Sequence, residues 1–568
     1  MSKIKLTIND KEVMVEEGQT ILEVAKEVGV DIPVLCHHPA LTNWGACRMC
    51  LVEVAGMRGL QTACTCPATE GMNIQTETEQ AVNVRKFVLE LLFSERNHYC
   101  MFCQMSGDCE LQDAAYRYGL EHFTYPRPYE KFEIDASRKY FIQDPNRCIL
   151  CSRCIRACAE IAANHTLNLK GRGAGTRVIA DLDVPFGEST CIECGTCLQV
   201  CPTGALIDVR SAYGGREKDV THTQTTCLQC SVGCQLDVVT RYERLLRVDG
   251  IFGAAPNDGL LCVKGRFEPL YDEERQRVQT PLVRKDGQLQ ECSWEEALPW
   301  VAEKLATGTA QGLAATATTN AAFQAFGKLF EKIGDPAGLL CGTLPELGYG
   351  KGATIPDVLA ADYIVVAGAK PLTTHKVVGY FIKRAADNGA TIALVGEPEN
   401  ELRSYAQLNV SYAEMDKVSV DIPDAAAVVV VYGAGLTAEG IAALKPLAEK
   451  AVFLGLEPGR NGRGAAAAGL APLAPAPAET RLVLLGEHPV KAAWVEQLNG
   501  AFTVVQASYH SPLTEKADVV LPTPIWAERS GHVTNLEGQV LPLQAALELP
   551  SGVRDEAEVL VALAKLIG

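Results

Sequence analysis

The sequence predicts a multidomain chain, α+β and cysteine-rich over residues 1–268 and α/β over residues 269–568. Three observations lead there. Its 568 residues exceed what one hydrophobic core organises, because single cores stop growing at roughly 250–300 residues. Twenty of its 22 cysteines precede residue 263, leaving only Cys292 and Cys341 beyond. After about residue 268 the apolar residues gather into continuous runs of strand length: "DYIVVAG", "TIALVG", "AAVVVVYG", "AVFLGL", "RLVLLG" and "FTVVQAS". Parallel strands buried on both faces read this way, and amphipathic stretches such as "KVVGYFIKRAADNG" read as the helices that cover them.

Taken in order, Ile4, Leu6 and Ile8, then Val13 and Val15, alternate with polar residues around Asn9 and Asp10, which is a hairpin pattern. In "TILEVAKEVG" that follows, Thr20 and Glu23 form a capping box, Ile21, Leu22 and Ala25 form one apolar face, and Gly29 is the stop. Strand, strand, helix and a cysteine-bearing loop predict a β-grasp ferredoxin domain over 1–80. Residues 81–139 begin helically, with "VRKFVLELLF" supplying an apolar stripe, and hold a second cysteine group. Residues 140–215 are loop-rich and cysteine-dense, so metal must supply much of their folding energy. A further cysteine segment spans 216–268, and 269–568 is the α/β region, in which "GRNGRGAAAAGLAPLAPAPAE" (459–479) reads as a surface loop or linker.

The cysteines fall into sets. Cys36, Cys47, Cys50 and Cys64 suit a 2Fe-2S cluster or tetrahedral zinc, while Cys66 beside them reads as a buried thiol. Cys100, Cys103 and Cys109 are three thiols in need of a fourth ligand, and His98 is the nearest candidate. Cys148, Cys151, Cys154 and Cys158, and again Cys191, Cys194, Cys197 and Cys201, repeat C-x2-C-x2-C-x3-C. In two-cluster ferredoxins the fourth cysteine of each run crosses to the other cluster. The expected 4Fe-4S sets are therefore Cys148, Cys151, Cys154 and Cys201, and Cys191, Cys194, Cys197 and Cys158. Cys227, Cys230 and Cys234 join Cys262 in a last four-thiol set, with zinc as the alternative. The total expected is one 2Fe-2S and four 4Fe-4S clusters.

In this order the motifs resemble the large iron-sulfur (G-type) subunit of complex I, or NADH dehydrogenase, and the related iron-sulfur subunits of NAD-linked hydrogenases and formate dehydrogenases. The resemblance runs over essentially the whole chain. It implies a 2Fe-2S centre on the first set, a histidine-ligated 4Fe-4S centre on the second, two central clusters on the paired runs and an outlying cluster on the last. One departure stands out: the family's ligand histidine lies four residues before the first cysteine, where this chain has Arg96, and His98 lies two before it. The "ERNHYC" wording is closer to the diaphorase iron-sulfur subunit of the NAD-linked enzymes.

The region 269–568 resembles the molybdopterin oxidoreductases, through 362–395 and through "TNLEGQV" within 517–540. There the metal-ligand position falls on Pro345, Cys341 reads as a core thiol, and the region is shorter than cofactor-holding members need. The expectation is a truncated domain of that type without a Mo or W pterin.

No nicotinamide or nucleotide fingerprint is complete. "GRGAGT" (171–176) and "GAGLTAEG" (433–440) read as turns. The net charge of -17 and pI near 5.2 exclude a nucleic-acid partner. No signal peptide opens "MSKIKLTINDKEVMVEE", and no stretch nears ~18 unbroken apolar residues. The expectation is a cytoplasmic protein without direct membrane insertion. It would carry electrons between a flavin-containing NAD(P)H-oxidoreductase subunit, with its small 2Fe-2S companion, and a hydrogenase, in one form electron-bifurcating. The alternatives are a complex I quinone arm or a molybdenum/tungsten formate dehydrogenase.

Overall fold

Strands β1 (Lys3–Ile8) and β2 (Lys11–Glu16) pair antiparallel around Asn9 and Asp10, both at positive φ. Asn and Asp tolerate that conformation, so a two-residue turn closes the hairpin. In this computed structural model the described residues are 2–126, 131–272, 275–397, 399–498 and 500–568. They divide into two units, one up to Val220 and one from Thr221.

In the first unit, α1 (Ile21–Glu27) starts at the predicted capping box of Thr20 and Glu23, and Gly29 follows its end at φ 74°. Strands β3 (Leu51–Val54), β4 (Gln61–Thr62) and β5 (Asn73–Gln75) complete a sheet of order β2-β1-β5-β3-β4, in which β1 and β5 run parallel. Ile4, Leu6, Ile8, Ile21, Val24, Val52 and Ile74 form its core. This is a β-grasp arrangement, and the loop between α1 and β3 carries three of the first four cysteines.

Helix α2 (Glu79–Glu95) departs from the stripe its apolar residues predict. Phe87 and Leu91 are exposed, while Arg85 is fully buried beside Ala81 and Leu89. The reason is hydrogen bonding. The Arg85 guanidinium donates to the carbonyls of Met49 (3.0 Å), Leu51 (2.7 Å) and Thr76 (2.8 Å), to Glu77 Oε1 (2.8 Å) and to Tyr118 Oη (2.9 Å). A buried cation so completely partnered outweighs the apolar side chains in choosing the inward face. Helix α3 (Glu110–Arg117) then packs Leu111 and Ala114 with Leu89, Met49, Leu35 and Ile149 in a small core shared by three cysteine segments.

Between residues 140 and 210 regular structure is brief. Strand β6 (Phe141–Gln143) pairs with a strand at Leu206–Asp208, and Leu167–Lys170 pairs with Arg177–Ala180. A short helix at Arg153–Arg156 widens into a π turn at Ala157–Ile161, which carries Cys158. Such turns insert one residue into the helical ladder and recur at functional sites.

The second unit opens with an antiparallel sheet of Thr221–Thr226, Gln235–Arg241 and Arg244–Gly250. Two larger sheets follow. One is wholly parallel, in the order Lys351–Gly352, Ala451–Gly455, Val428–Tyr432, Tyr363–Ala367, Thr391–Val395, Leu408–Val410. The other has seven strands, with a parallel centre at Ala310–Ala314, Thr480–Gly486, Phe502–Ala507 and Val519–Pro522 and an antiparallel edge at Leu282–Lys285 and Gln288–Glu291. All six apolar runs named from the sequence are strands.

The stretch 459–479 connects the two sheets but is not simply a surface loop. It contains a helix, Gly462–Ala467, and Asn461 before it is fully buried and donates to the Thr318 carbonyl (2.9 Å). Small residues permit this: a Cβ on Gly464 would lie 2.1 Å from Asn320 Oδ1. Among the described residues, no helix is long and apolar enough to cross a membrane.

Replacing Arg85 with Ala leaves the carbonyls either side of Cys50 unpaired. The expected loss is about 3–5 kcal/mol, the range for breaking a buried charged network. Denaturant midpoints of the two proteins measure it, and Arg85→Lys should recover only part.

Candidate iron-sulfur centres

The first set sits in the β-grasp loop. Gly45 and Arg48 take positive φ on either side of Cys47, which folds the loop back so that the Cys47 N–H donates to Cys36 Sγ (3.4 Å). The thiols of Cys47 and Cys64 donate to Cys36, drawing it down, and that of Cys64 draws Cys50 down to about 7. The donors are pushed up in return. Cys66 stays outside this group, its thiol directed at the Pro67 carbonyl (3.7 Å).

The second set surrounds a cavity lined by Cys100, Cys103, Cys109 and His98, with Arg147, Thr203 and Gly204 closing it. Burial draws the imidazole of His98 down to about 4, so the ring is neutral at pH 7. Its hydrogen bond goes to the Leu92 backbone, and its buried Nε2 has no hydrogen-bond partner. A metal-ligating histidine is held this way, with one N–H on a backbone carbonyl and the other nitrogen's lone pair left for the metal. Arg96 points elsewhere, with its guanidinium on the Thr176 carbonyl and over the Phe132 ring.

The paired runs share one backbone design. Leu150 and Ser152 flank Cys151 at positive φ, and Glu193 and Gly195 flank Cys194 in the same way. Each left-handed residue other than glycine costs about 1–3 kcal/mol, and each turn aims N–H groups inward, as when Leu150 donates to Cys148 Sγ (3.4 Å) and Glu193 to Cys191 Sγ (3.5 Å). Cys148, Cys151, Cys154 and Cys201 line one cavity. Burial first, and the neighbouring thiols second, push Cys154 far up, and Cys197 likewise among Cys194, Cys191 and Cys158. Cys201 thus lies on the cavity of the first run, and Cys158 lies near Cys197 and Cys194 of the second.

In the second unit Cys227, Cys234 and Cys262 are buried, with Cys230 half-buried beside them. Burial, then the nearby Cys262 thiol, lifts Cys230 to about 12. Their loop rests on the "TNLEGQV" stretch, with Leu536 donating to the Ser231 carbonyl (2.7 Å) and Ser231 Oγ lying 2.9 Å from His375 Nε2. Cys292 and Cys341 join none of these groups; Cys341 is packed in the core, 3.7 Å from His488 Nε2. Pro345, half-buried, offers no donor for a metal.

Several structural contributors escaped the sequence reading. Arg85 braces the Cys50 loop, and Pro202 and Thr203 form a wall. Cys109 Sγ and Glu110 N–H both direct at the Pro202 carbonyl (3.6 and 3.1 Å), and Thr203 lines both the His98 cavity and that of Cys148. Their only sequence signal was adjacency to Cys201.

Buried thiols whose ionisation is opposed by burial and by one another would carry charge against a cationic core such as iron. Family comparisons agree with that chemistry. A 2Fe-2S iron-sulfur cluster binding domain matches residues 1–79, the NADH-ubiquinone oxidoreductase-G iron-sulfur binding region 85–123 and a 4Fe-4S dicluster domain 147–205. The molybdopterin oxidoreductase Fe4S4 domain matches 220–270, and molybdopterin oxidoreductase itself 277–444 and 474–566. The second G-type subunit of NADH-quinone oxidoreductase from Rhizobium meliloti (strain 1021) is 37% identical over 314 residues, 55% of this chain and 36% of that one. Over 55% of its length the chain is thus similar to a G-type subunit of NADH-quinone oxidoreductase.

The chain is also 27% identical over 441 residues to "Probable oxidoreductase YjgC" of Bacillus subtilis (strain 168), covering 67% of this chain and 45% of that one. It thus spans between about a third and a half of the length of these curated relatives. A chain of the crystal structure of an NAD+-reducing NiFe-hydrogenase in the H2-reduced state is 35% identical, with 38% of this chain and 91% of that chain covered at a TM-score of 0.36. The matched domains are of 2Fe-2S and 4Fe-4S type.

If His98 closes the second set, His98→Ala should lower iron by up to ~4 atoms per chain while His98→Cys retains it, read by iron analysis and Mössbauer spectroscopy. Gly204→Ala should weaken the same centre, since its Cβ would stand 2.5 Å from Cys103 Sγ; a variant with full iron and an unchanged spectrum would refute that.

Proposed function

We propose that the chain is the electron-transfer subunit of an NAD(P)-linked hydrogenase complex, with five iron-sulfur centres and no chemistry of its own on substrate. The wall of Pro202 and Thr203 is the observation that carries this reading, because Thr203 lines both cysteine-lined cavities and two redox centres held there would stand side by side. When bound, the clusters would supply one-electron storage at potentials set by ligands, burial and hydrogen bonds. The chain's own residues hold the sulfurs and exclude water, and they orient His98 through its backbone hydrogen bond.

Electrons would enter from a flavin-containing NAD(P)H-oxidoreductase subunit accompanied by a small 2Fe-2S subunit. The 2Fe-2S and His98 centres would feed the paired centres, and the terminal subunit would be a hydrogenase. The spacing of His98, two residues before Cys100, supports a hydrogenase over complex I proper. The match to the G-type region and the 37% identical relative support the second reading, a peripheral-arm G-type subunit of a quinone-reducing enzyme. The second unit is read as a pterin-type domain without Mo or W, supported by a proline where the metal ligand belongs.

Anaerobically purified protein should contain about 18 Fe per chain, from one 2Fe and four 4Fe centres, with neither Mo nor W. Stoichiometric Mo or W would make it a catalytic subunit of formate-dehydrogenase type. In the intact complex, reduction of the centres by H2 supports the hydrogenase reading, and reoxidation by a quinone with no response to H2 supports complex I.

A further inference from the structure

Arg156 lies between Cys154 and Cys158, which belong to different groups of the paired runs, yet its guanidinium reaches the first set. It is buried, and its two terminal nitrogens donate to the carbonyls of Cys36 and Thr42. The Trp44 ring lies 5.9 Å from its Cζ. One turn further on, Glu160 accepts from the Thr42 N–H (2.8 Å) and hydroxyl (2.6 Å). The loop holding Cys36 is thus clamped at two points by the short helix and π turn that carry Cys154 and Cys158. Among the described residues no carboxylate pairs with Arg156, and a guanidinium does not lose its proton in a protein. A fixed positive charge with no directly paired carboxylate therefore sits against the Cys36 segment, where a ligand-bearing helix of the paired runs touches the β-grasp loop.

We propose that Arg156 couples the N-terminal 2Fe-2S centre to the paired 4Fe-4S centres. Its fork seats the Cys36 loop on the Cys154–Cys158 helix, giving a hydrogen-bonded path from the Cys36 carbonyl into that helix, and its charge favours the reduced form of the 2Fe-2S centre. The step served is exchange of one electron: one centre is oxidised by one, the other reduced by one, and no bond or proton moves. This deepens the electron-transfer reading above and rests on it. Arg156 is a positioning residue, since it bonds to the backbone and to no sulfur.

The test uses the full chain as Arg156→Gln and Arg156→Lys, with iron content, an EPR-monitored redox titration of the 2Fe-2S centre, and the rate of electron equilibration among centres after pulse radiolysis. In Arg156→Gln the ratio of reduced to oxidised 2Fe-2S at fixed poise should fall about tenfold, equivalent to about 59 mV for one electron, and equilibration should slow at full iron. Arg156→Lys should keep the ratio, because the charge remains, but slow equilibration, because an ammonium lacks the fork that spans both carbonyls. A glutamine variant with wild-type ratio and rate overturns the proposal. If the glutamine variant loses iron, the lysine variant decides: a slowed rate at full iron upholds the coupling, and a wild-type rate overturns it. Absence of exchange in the wild-type chain would bring down the electron-transfer reading and this proposal together, whereas exchange in the wild type that the variants leave unaltered removes Arg156 alone.

Discussion

Thiol groups packed out of water resist ionisation, and the loops of the second set and the paired runs are organised around that resistance. Burial and mutual repulsion raise Cys100 and Cys109 of the second set and Cys154, Cys158 and Cys197 of the paired runs, and Cys148, Cys151 and Cys191 are lifted to about 11–12. Such thiols become ligands when a cationic core takes the place of their protons. The same fact explains the scarcity of regular structure between residues 140 and 210, where brief strands and four-residue helices leave little apolar surface to bury. The core drawn from Leu35, Met49, Leu89, Leu111 and Ile149 is small, and at roughly 1.5–3 kcal/mol per fully buried side chain it cannot by itself offset the ordering of so many loop residues.

Around these sulfurs the fixed charges are arginines rather than lysines. Arg85 holds the carbonyls beside Cys50, and Arg153 makes a bidentate pair with Glu110 (2.6 and 2.7 Å), the residue after Cys109. Arg147 reaches Gln104 and lines the His98 cavity. A planar fork with five donors can satisfy several backbone carbonyls at once, which a flexible ammonium cannot. The arginines of the first paired run thus tie neighbouring cysteine segments to a common centre and keep their separations fixed.

The second unit has a different logic. Its two larger sheets are stabilised by continuous apolar strands, such as Val428–Tyr432 and Thr480–Gly486, and a fully buried ion pair joins Arg529 to Glu556 at 2.6 Å. The Cys227 loop leans on this scaffold through Ser231 and Leu536, so here it is a packed protein framework that positions the sulfurs.

Much was legible in one dimension because it follows from short-range rules. Alternation and a two-residue turn specify the hairpin at Asn9 and Asp10, a capping box specifies the start at Ile21, and unbroken apolar runs specify buried parallel strands. Cysteine spacing grouped the thiols, since ligands separated by two residues must share a turn. The inward face of α2 was not legible, because Arg85 goes inside only if Met49, Leu51, Thr76 and Tyr118 converge on it from elsewhere in the chain. Nor was the buried course of 459–479, which depends on contacts with Thr318 and Asn320 more than a hundred residues away. The amino-acid order thus determined which thiols share a turn and which segments are strands, both local properties. The tertiary structure alone decided what stands between the groups, because the Pro202–Thr203 wall and the reach of Arg156 to Cys36 are contacts between segments that sequence distance does not relate.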